Sequence, residues 1–277
     1  MRKHDPNDPL LLQVMPDARE LLEIPGYSLD PVGDRHAEPL PGVLHKYHGR
    51  LLLITTGACA VHCRYCFRRH FPYAESNPAR RDWQSAIDYI RCHTEIDEVI
   101  LSGGDPLMLD DEKLQRLIRK LDAIDHLRRL RIHTRLPIVI PERVDDALLA
   151  WMRESRLQLI VVTHVNHPNE LDDEVGNAML LLHDAGAFLL NQSVLLRGVN
   201  DCSDVLSKLS MRLFETKVIP YYLHLLDPVR GSAHYDISEK TAKGLIRDLR
   251  QRLPGYMVPR LVCEKAGEPN KTPVLDN

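Results

Sequence analysis

Short apolar runs alternate with longer amphipathic stretches six times along this chain, from Leu51 to Leu253. The apolar runs are rich in β-branched residues, which is typical of buried strands, and the amphipathic stretches have helical spacing. Six strand–helix units in series predict an α/β fold with a parallel sheet, either open and doubly wound or rolled into a barrel. The predicted strands are Leu51–Thr56, Glu98–Ser102, Arg129–Thr134, Leu157–Thr163, Ala187–Leu196 and Val218–Leu226, with a seventh at Met257–Val262. The predicted helices are Trp83–His93, Asp111–Ile124, Arg143–Glu154, Leu171–Asp184, Ser203–Phe214 and Ser238–Leu253.

The chain divides into three parts by composition. Residues 1–44 hold seven of the 19 prolines, which predicts an irregular arm with one short helix, lying over the folded body. Residues 45–256 carry the strand–helix units and form the predicted core. Residues 257–277 follow the last helix as a turn-rich tail. In parallel α/β folds functional side chains gather at the carboxyl ends of the strands, so the site is expected there.

Charge and hydrophobicity exclude several classes of protein. The net charge is −3, from 36 basic and 39 acidic residues, so we predict no nucleic-acid partner. No apolar run reaches the length of a membrane span, and Met1–Asp5 lacks the apolar core of a signal peptide. We therefore expect no membrane association and a cytoplasmic location. Six cysteines in 277 residues do not form a secreted disulfide framework and point to metal or redox chemistry instead.

Three of the cysteines are clustered just after the first predicted strand, as Cys59-x3-Cys63-x2-Cys66. A structural zinc ion would need a fourth ligand, and His62 or His70 is the nearest candidate. A redox pair formed by Cys63 and Cys66 is a further alternative. A [4Fe–4S] cluster held by three thiolates would leave one iron open to a small molecule. The other three cysteines (Cys92, Cys202 and Cys263) are interpreted as small buried hydrophobic residues.

The cysteine spacing resembles that of the radical S-adenosylmethionine (SAM) superfamily. This resemblance implies a partial (β/α)6 TIM-like barrel, a [4Fe–4S] cluster on the three cysteines, and SAM bound to the open iron. Ser102–Pro106 resembles the superfamily's Gly-Gly-Glu-Pro element, which implies that Gly103, Gly104 and Asp105 bind SAM through their backbone. His164, after the fourth strand, and Gln192, within the fifth, are also assigned to cofactor binding. His164 and His167 could suggest a metal pair, but a role in contacting SAM or ordering the loop is favoured.

Longer stretches resemble the lysine 2,3-aminomutase family, over about Asp8 to Leu275. In that family a tail lysine before a Thr-Pro-Val or similar ending forms the Schiff base with pyridoxal phosphate (PLP). Lys271 occupies this position, whereas composition alone would make it a solvated tail lysine. The matching stretches include Cys63–Arg69, Ser102–Leu107, Thr163–Glu170 and Asn191–Asp201, whereas Glu268, Pro269 and Asn270 interrupt the glycine-rich tail of the family.

The same resemblance implies roles for four more residues. Arg68 would bind the substrate carboxylate, for which a forked guanidinium is well suited. Asp227 and Glu264 would bind the distal ammonium of lysine. Arg50 would lie near the pyridine nitrogen of PLP. The alternatives are that Arg68 is structural and that Glu264, where the family prefers aspartate, is a surface carboxylate.

Within the family, Phe67–Glu75, Pro41–Tyr47 and Gly267–Pro273 resemble the branch that serves elongation factor P. The resemblance implies conversion of (S)-α-lysine to (R)-β-lysine, a dedicated ligase that attaches the product to elongation factor P, and a flavodoxin- or ferredoxin-type electron donor. The alternatives are an aminomutase acting on free lysine or another amino acid in metabolism, and a non-catalytic binding module. Free-lysine enzymes of the family carry a zinc-binding C-terminal extension; only Cys202 matches it here, so we expect no zinc interface.

Overall fold

The computed structural model describes residues 1–76 and 83–275. Its centre is a nine-stranded sheet in which the strands lie in sequence order. The seven inner strands, β2 to β8, are parallel, and an antiparallel strand is added at each edge. The strands are β1 (Val43–Tyr47), β2 (Arg50–Thr56), β3 (Glu98–Gly103), β4 (Arg129–Thr134), β5 (Gln158–Thr163), β6 (Phe188–Val194), β7 (Ile219–His224), β8 (Arg260–Cys263) and β9 (Thr272–Pro273).

Helices connect the parallel strands, as the sequence predicts. They are α1 (Gln84–Cys92), α2 (Asp111–Asp122), α3 (Leu136–Val139), α4 (Asp146–Glu154), α5 (Asp173–Asp184), α6 (Ser203–Glu215) and α7 (Glu239–Arg252). Four of the long helices begin at an N-cap residue whose side chain accepts a hydrogen bond from a free backbone N–H of the first turn. These N-cap residues are Asp110, Asp145, Asp172 and Ser238.

The predicted fold class is confirmed. Six strand–helix units run from β2 to α7, and the sheet stays open because β1 and β9 do not pair among the described residues. The main core lies between the sheet and the helices and includes Leu51, Leu101 and Ile132 from the strands, each at most 1% exposed. The edge strands were not expected: β1 forms a hairpin with β2, and β9 returns along β8.

Two of the spare cysteines are exposed, contrary to the expectation that they are buried. Cys92 is the last residue of α1, and Cys202 precedes α6 as its N-cap. Both therefore lie at helix ends rather than on the apolar faces that pack against the sheet. Cys263 is only partly buried.

The loop after β2 carries the clustered cysteines and packs tightly against the end of β3. The sequence predicts that Gly103 and Gly104 let a cofactor approach the backbone; in the structure the cysteine loop itself makes a close approach. Gly104 N–H donates to the Thr56 carbonyl over 2.7 Å, and Asp105 N–H donates to the Ala58 carbonyl over 2.8 Å. A Cβ atom on Gly104 would lie 2.2 Å from the Ala58 oxygen. The two loops can therefore meet only if this residue is glycine.

Gly104→Ala should destabilise the protein, because its methyl group meets backbone that cannot rotate away. Overpacking of this kind costs about 1–3 kcal/mol. Urea unfolding monitored by circular dichroism measures the change. Gly255→Ala is the matched control, since a Cβ there meets nothing within 4 Å, and it should leave the midpoint unchanged. Equal midpoints for the two variants would contradict the packing argument.

Candidate active site

One cavity of about 640 Å³ lies at the carboxyl ends of the strands. Its volume is typical of sites that enclose cofactor-sized ligands. Residues far apart in sequence, from the cysteine loop to the tail, line it together. It includes every predicted site residue: Arg50, Cys59, Cys63, Cys66, Arg68, Gly103, Gly104, Asp105, His164, Gln192, Asp227, Glu264 and Lys271.

The three clustered cysteines are free thiols on the wall of this cavity. Burial raises the pKa of Cys59 to about 12, with Asp105 and the other two cysteines adding to the shift. Burial also raises the pKa of Cys66 to about 11, with Cys63 adding to it. These two thiols are therefore protonated at neutral pH in the protein alone. Bound iron would deprotonate them, since coordinating thiols bind as thiolates. The donor set thus fits a three-thiolate iron–sulfur cluster.

The side chain of Asp105 is used by the protein itself. It accepts hydrogen bonds from Thr134 Oγ1 at 2.7 Å and from the backbone N–H groups of Leu107, Arg135 and Leu136 at 2.7 to 3.1 Å. These bonds join the end of β3 to the end of β4. Asp105 therefore shapes the cavity wall with its carboxylate, which is occupied by these bonds.

Arg68 forms a buried ion pair with Asp34, a residue of the N-terminal arm that the sequence analysis did not identify. Its Nε donates to Asp34 Oδ2 at 2.7 Å and its Nη1 donates to Ser102 Oγ at 3.1 Å. Burial would raise the pKa of Asp34, but Arg68 and Lys46 outweigh it and hold the carboxyl ionised. No hydrogen bond through Nη2 of Arg68 is found within residues 1–76 and 83–275, so this nitrogen is available to a ligand.

The tail brings Lys271 back to the cavity. β9 pairs antiparallel with β8, with Thr272 opposite Cys263, so Lys271 lies beside Glu264 across the hairpin. Lys271 Nζ donates to Glu264 Oε2 at 2.6 Å. Lys46, on β1, donates to Glu264 Oε1 at 3.0 Å and also contacts Asp34 at 2.6 Å. Burial would raise the pKa of Glu264, but the two lysines lower it to about 2.

Asp227 follows β7 and faces Glu264 across the cavity. Burial raises its pKa to about 7, and the negative charge of Glu264 adds to this shift. No donor hydrogen-bonds to its carboxylate in the part of the chain that the structure describes. Asp227 is therefore a carboxyl group without a fixed partner, on the verge of ionisation at neutral pH.

The remaining predicted cofactor residues lie at different depths in the cavity. His164 Nε2 and Tyr65 Oη form a hydrogen bond of 3.0 Å, and the two rings stack on each other. Burial lowers its pKa to about 3, with Arg135 adding to the shift, so His164 is neutral. Gln192 points from β6 and lines the cavity. Arg50 begins β2 and lies over the Tyr47 ring at 4.6 Å.

Sequence reasoning missed Asp34 and Lys46 in this site. Asp34 lies in the proline-rich arm, where no periodicity marks a functional residue. Lys46 lies on β1, whose strand pattern is too short to stand out. The only signal was for Lys46, which lies in the stretch Pro41–Tyr47 that resembles one family branch; Asp34 lies outside that stretch.

Residues 1–76 and 83–275 contain neither a membrane-spanning helix nor a further metal-binding group. None of the helices combines the length and the apolar composition that crossing a bilayer requires. No group of three or more His, Cys, Asp or Glu side chains is arranged to hold a single metal ion.

Comparison with known structures shows the same fold elsewhere. A radical SAM methyltransferase from Sphaerobacter thermophilus superposes with a TM-score of 0.58, over 80% of this chain and 68% of that one. The two share 16% sequence identity, so this likeness concerns the fold alone.

Sequence comparison identifies the family. The sequence model of the radical SAM superfamily matches residues 53–206. The L-lysine 2,3-aminomutases of Escherichia coli (strain K12) and Haemophilus influenzae are each 52% identical to this chain, over 99% and 98% of it and 80% of their own lengths. The enzyme of Clostridium subterminale is 40% identical over 99% of the chain and 66% of its own length. Radical SAM proteins use a [4Fe–4S] cluster and SAM, and lysine 2,3-aminomutases depend on PLP. This chain belongs to the lysine 2,3-aminomutase family of the radical SAM superfamily.

Proposed function

We propose that this protein is a lysine 2,3-aminomutase that converts (S)-α-lysine to (R)-β-lysine. The observation that carries the proposal is that one cavity is lined both by the three cysteines and by Lys271 with two carboxylates. The reaction needs two cofactors and one substrate with charged groups at both ends in mutual contact. A cavity shared by these residues supports that requirement.

In this proposal the protein's residues divide between the two cofactors. Cys59, Cys63 and Cys66 hold the cluster, and the backbone of Gly103–Asp105 together with His164 binds SAM. Lys271 holds PLP, with Arg50 near its ring and Gln192 beside it. When bound, the cluster and SAM supply one-electron chemistry that activates an unreactive C–H bond, and PLP supplies an electron sink for the migrating nitrogen. The protein contributes position, charge and the exclusion of water.

Arg68 is the proposed binding residue for the substrate carboxylate. Its Nε and Nη1 are fixed by Asp34 and Ser102, and the bonds hold the guanidinium plane in place before substrate arrives. Nη2 then binds the substrate carboxylate with a charge-assisted hydrogen bond. A guanidinium fixed in advance loses little conformational entropy when it binds.

Asp227 and Glu264 are the proposed partners of the distal ammonium of lysine. Glu264 now binds both Lys46 and Lys271. If Lys271 held PLP, its nitrogen would be directed to the cofactor and one oxygen of Glu264 would become available. The substrate ammonium can take the vacated position and reach Asp227 as well. A glutamate substrate would bring a carboxylate to this acidic wall, so charge favours lysine.

We further propose that the product serves the modification of elongation factor P, through the ligase that attaches β-lysine to it. The support is the resemblance of Phe67–Glu75, Pro41–Tyr47 and Gly267–Pro273 to that branch of the family. Lys46 lies within Pro41–Tyr47 and forms an ion pair with Glu264, which lies just before Gly267–Pro273. A flavodoxin- or ferredoxin-type protein is the proposed electron donor.

Borohydride reduction of the PLP-loaded protein should place a pyridoxyl group on Lys271. Lys46 also lines the cavity and Lys265 lies in the same hairpin loop but is exposed, so peptide mapping of all three discriminates between them. Lys271→Ala should abolish aminomutase turnover while iron content stays normal. Lys265→Ala is the control and should keep both the label and turnover. A label on Lys46 or Lys265 would show that the tail lysine is assigned wrongly.

Asp227→Asn should lower kcat/KM for lysine by roughly 10- to 100-fold, since a hydrogen bond between charged groups contributes about 1.5–3 kcal/mol. In the wild type, KM for lysine should rise as pH falls through about 7, because Asp227 then becomes protonated. This pH dependence should disappear in Asp227→Asn. Steady-state kinetics between pH 6 and pH 8 test both points. Asp201→Asn, at an exposed loop position outside the cavity, is the control.

The complete function is tested by product analysis and by a gene deletion. Anaerobic protein with SAM, PLP, lysine and reductant should form (R)-β-lysine, and the Lys271→Ala protein should form none. Cells without the gene should accumulate elongation factor P that lacks its β-lysyl group, and the wild-type gene should restore it. If β-lysine forms in vitro but the modification persists in the deletion strain, the enzyme acts in free-lysine metabolism instead.

A further inference from the structure

Arg135 is a buried arginine that none of the proposed binding steps uses. It follows β4, and its side chain is 12% exposed. Its Nη1 donates to the Cys63 sulfur at 2.8 Å and to Tyr65 Oη at 3.1 Å. A permanent cation therefore contacts one of the three clustered cysteines directly.

The other end of the guanidinium is fixed by two buried groups. Nη2 donates to Gln13 Oε1 at 2.7 Å and to Glu170 Oε2 at 2.8 Å. Glu170 is itself held by Gln13 Nε2 and by the backbone N–H groups of Asn166 and His167, at 2.9 to 3.1 Å. The arginine cannot swing away from Cys63 without breaking this network, so the contact is part of the folded structure.

We propose that Arg135 is a positioning residue that acts through Cys63 and raises the reduction potential of the cluster. The inference rests on the proposed function in one respect, namely that Cys63 is a cluster ligand. Reduction adds one electron from an external one-electron donor and forms or breaks no bond. The added negative charge is stabilised by a cation and an N–H donor at the ligand sulfur, and hydrogen bonds to sulfur are known determinants of cluster potentials. Burial strengthens the effect because little water screens it.

Glu170 should act in the opposite direction, and more weakly. Its carboxylate contacts Nη2, whereas Nη1 contacts the sulfur, so its negative charge lies further from the cluster than the positive charge of Arg135. Glu170→Gln keeps nearly the same shape and removes the opposing charge, while one accepting oxygen is replaced by an NH2 group. Loss of the negative charge should raise the potential. The two residues thus predict shifts of opposite sign, which a loosened structure would not produce.

The test is a redox titration of the anaerobically reconstituted protein without SAM, with dithionite as reductant and electron paramagnetic resonance as readout. The variants are Glu170→Gln and the double variant Glu170→Gln with Arg135→Gln, which avoids leaving a buried carboxylate unpaired. We expect Glu170→Gln to have a higher midpoint potential than the wild type. Adding Arg135→Gln should lower the potential by at least 59 mV, which is a tenfold change in the one-electron equilibrium. Arg135→Lys, which keeps the cation, should recover part of that difference.

Arg143→Gln is the matched control. Arg143 is 14% exposed, close to the 12% of Arg135, and pairs with Asp111 at 2.8 Å without contacting a cysteine. The reduction potential of the cluster in the Arg143→Gln variant should equal that in the wild type. Iron is measured before each titration, and about four irons per chain identify an intact [4Fe–4S] cluster.

Unchanged potentials in variants that retain their iron would overturn the proposal. If the double variant loses iron, the Glu170→Gln variant alone decides the test. A wild-type potential in that variant would also overturn the proposal. A wild-type protein that takes up no iron would overturn the cluster assignment itself, which separates the failure of the proposed function from the failure of this inference.

Discussion

The ion pairs between the N-terminal arm and the cysteine loop are the interaction on which the site depends. Glu20 binds both Arg64 and Arg69, and Asp34 binds Arg68. All three arginines belong to the loop that carries the clustered cysteines. Residues 57–76 of this loop contain no helix or strand, so their shape comes from these contacts and from the glycine turn after β3. Breaking a buried pair by removing one partner is costly, typically 3–5 kcal/mol, which makes the arm an integral part of the site.

Charge balance explains how a largely buried cavity can hold so many ionisable groups. The cations Arg68, Lys46 and Lys271 face the carboxylates Asp34, Asp227 and Glu264, and together the pairs satisfy most of these charges. Asp227 is the exception: it is buried without a cation bonded to it, and its pKa is raised to about 7. In the proposed function Lys271 would hold PLP, and the substrate lysine brings one net positive charge. The substrate then completes a set of ion pairs that the protein alone leaves unfinished.

Much of the fold could be predicted because it depends on local patterns. Apolar runs with β-branched residues and amphipathic stretches gave the six strand–helix units, and the observed bounds differ from the predicted ones by a few residues. The edge strands β1 and β9 escaped prediction because a strand of two to five residues has no usable periodicity. The exposure of Cys92 and Cys202 was not predicted either, because composition does not show that a residue lies at a helix end instead of on the face that packs against the sheet.

The sequence by itself determined the fold class, the cysteine triad and, through family resemblance, the residues that gather around the cavity. These are properties of spacing along the chain, and spacing is visible in a sequence. Only the tertiary structure decided how their charges are paired. Asp34 lies 34 residues before Arg68, and Glu264 lies 218 residues after Lys46. Such pairs form because folding brings distant segments into one low-dielectric cavity, where an ionised group needs a partner, and no local pattern specifies which partner it finds.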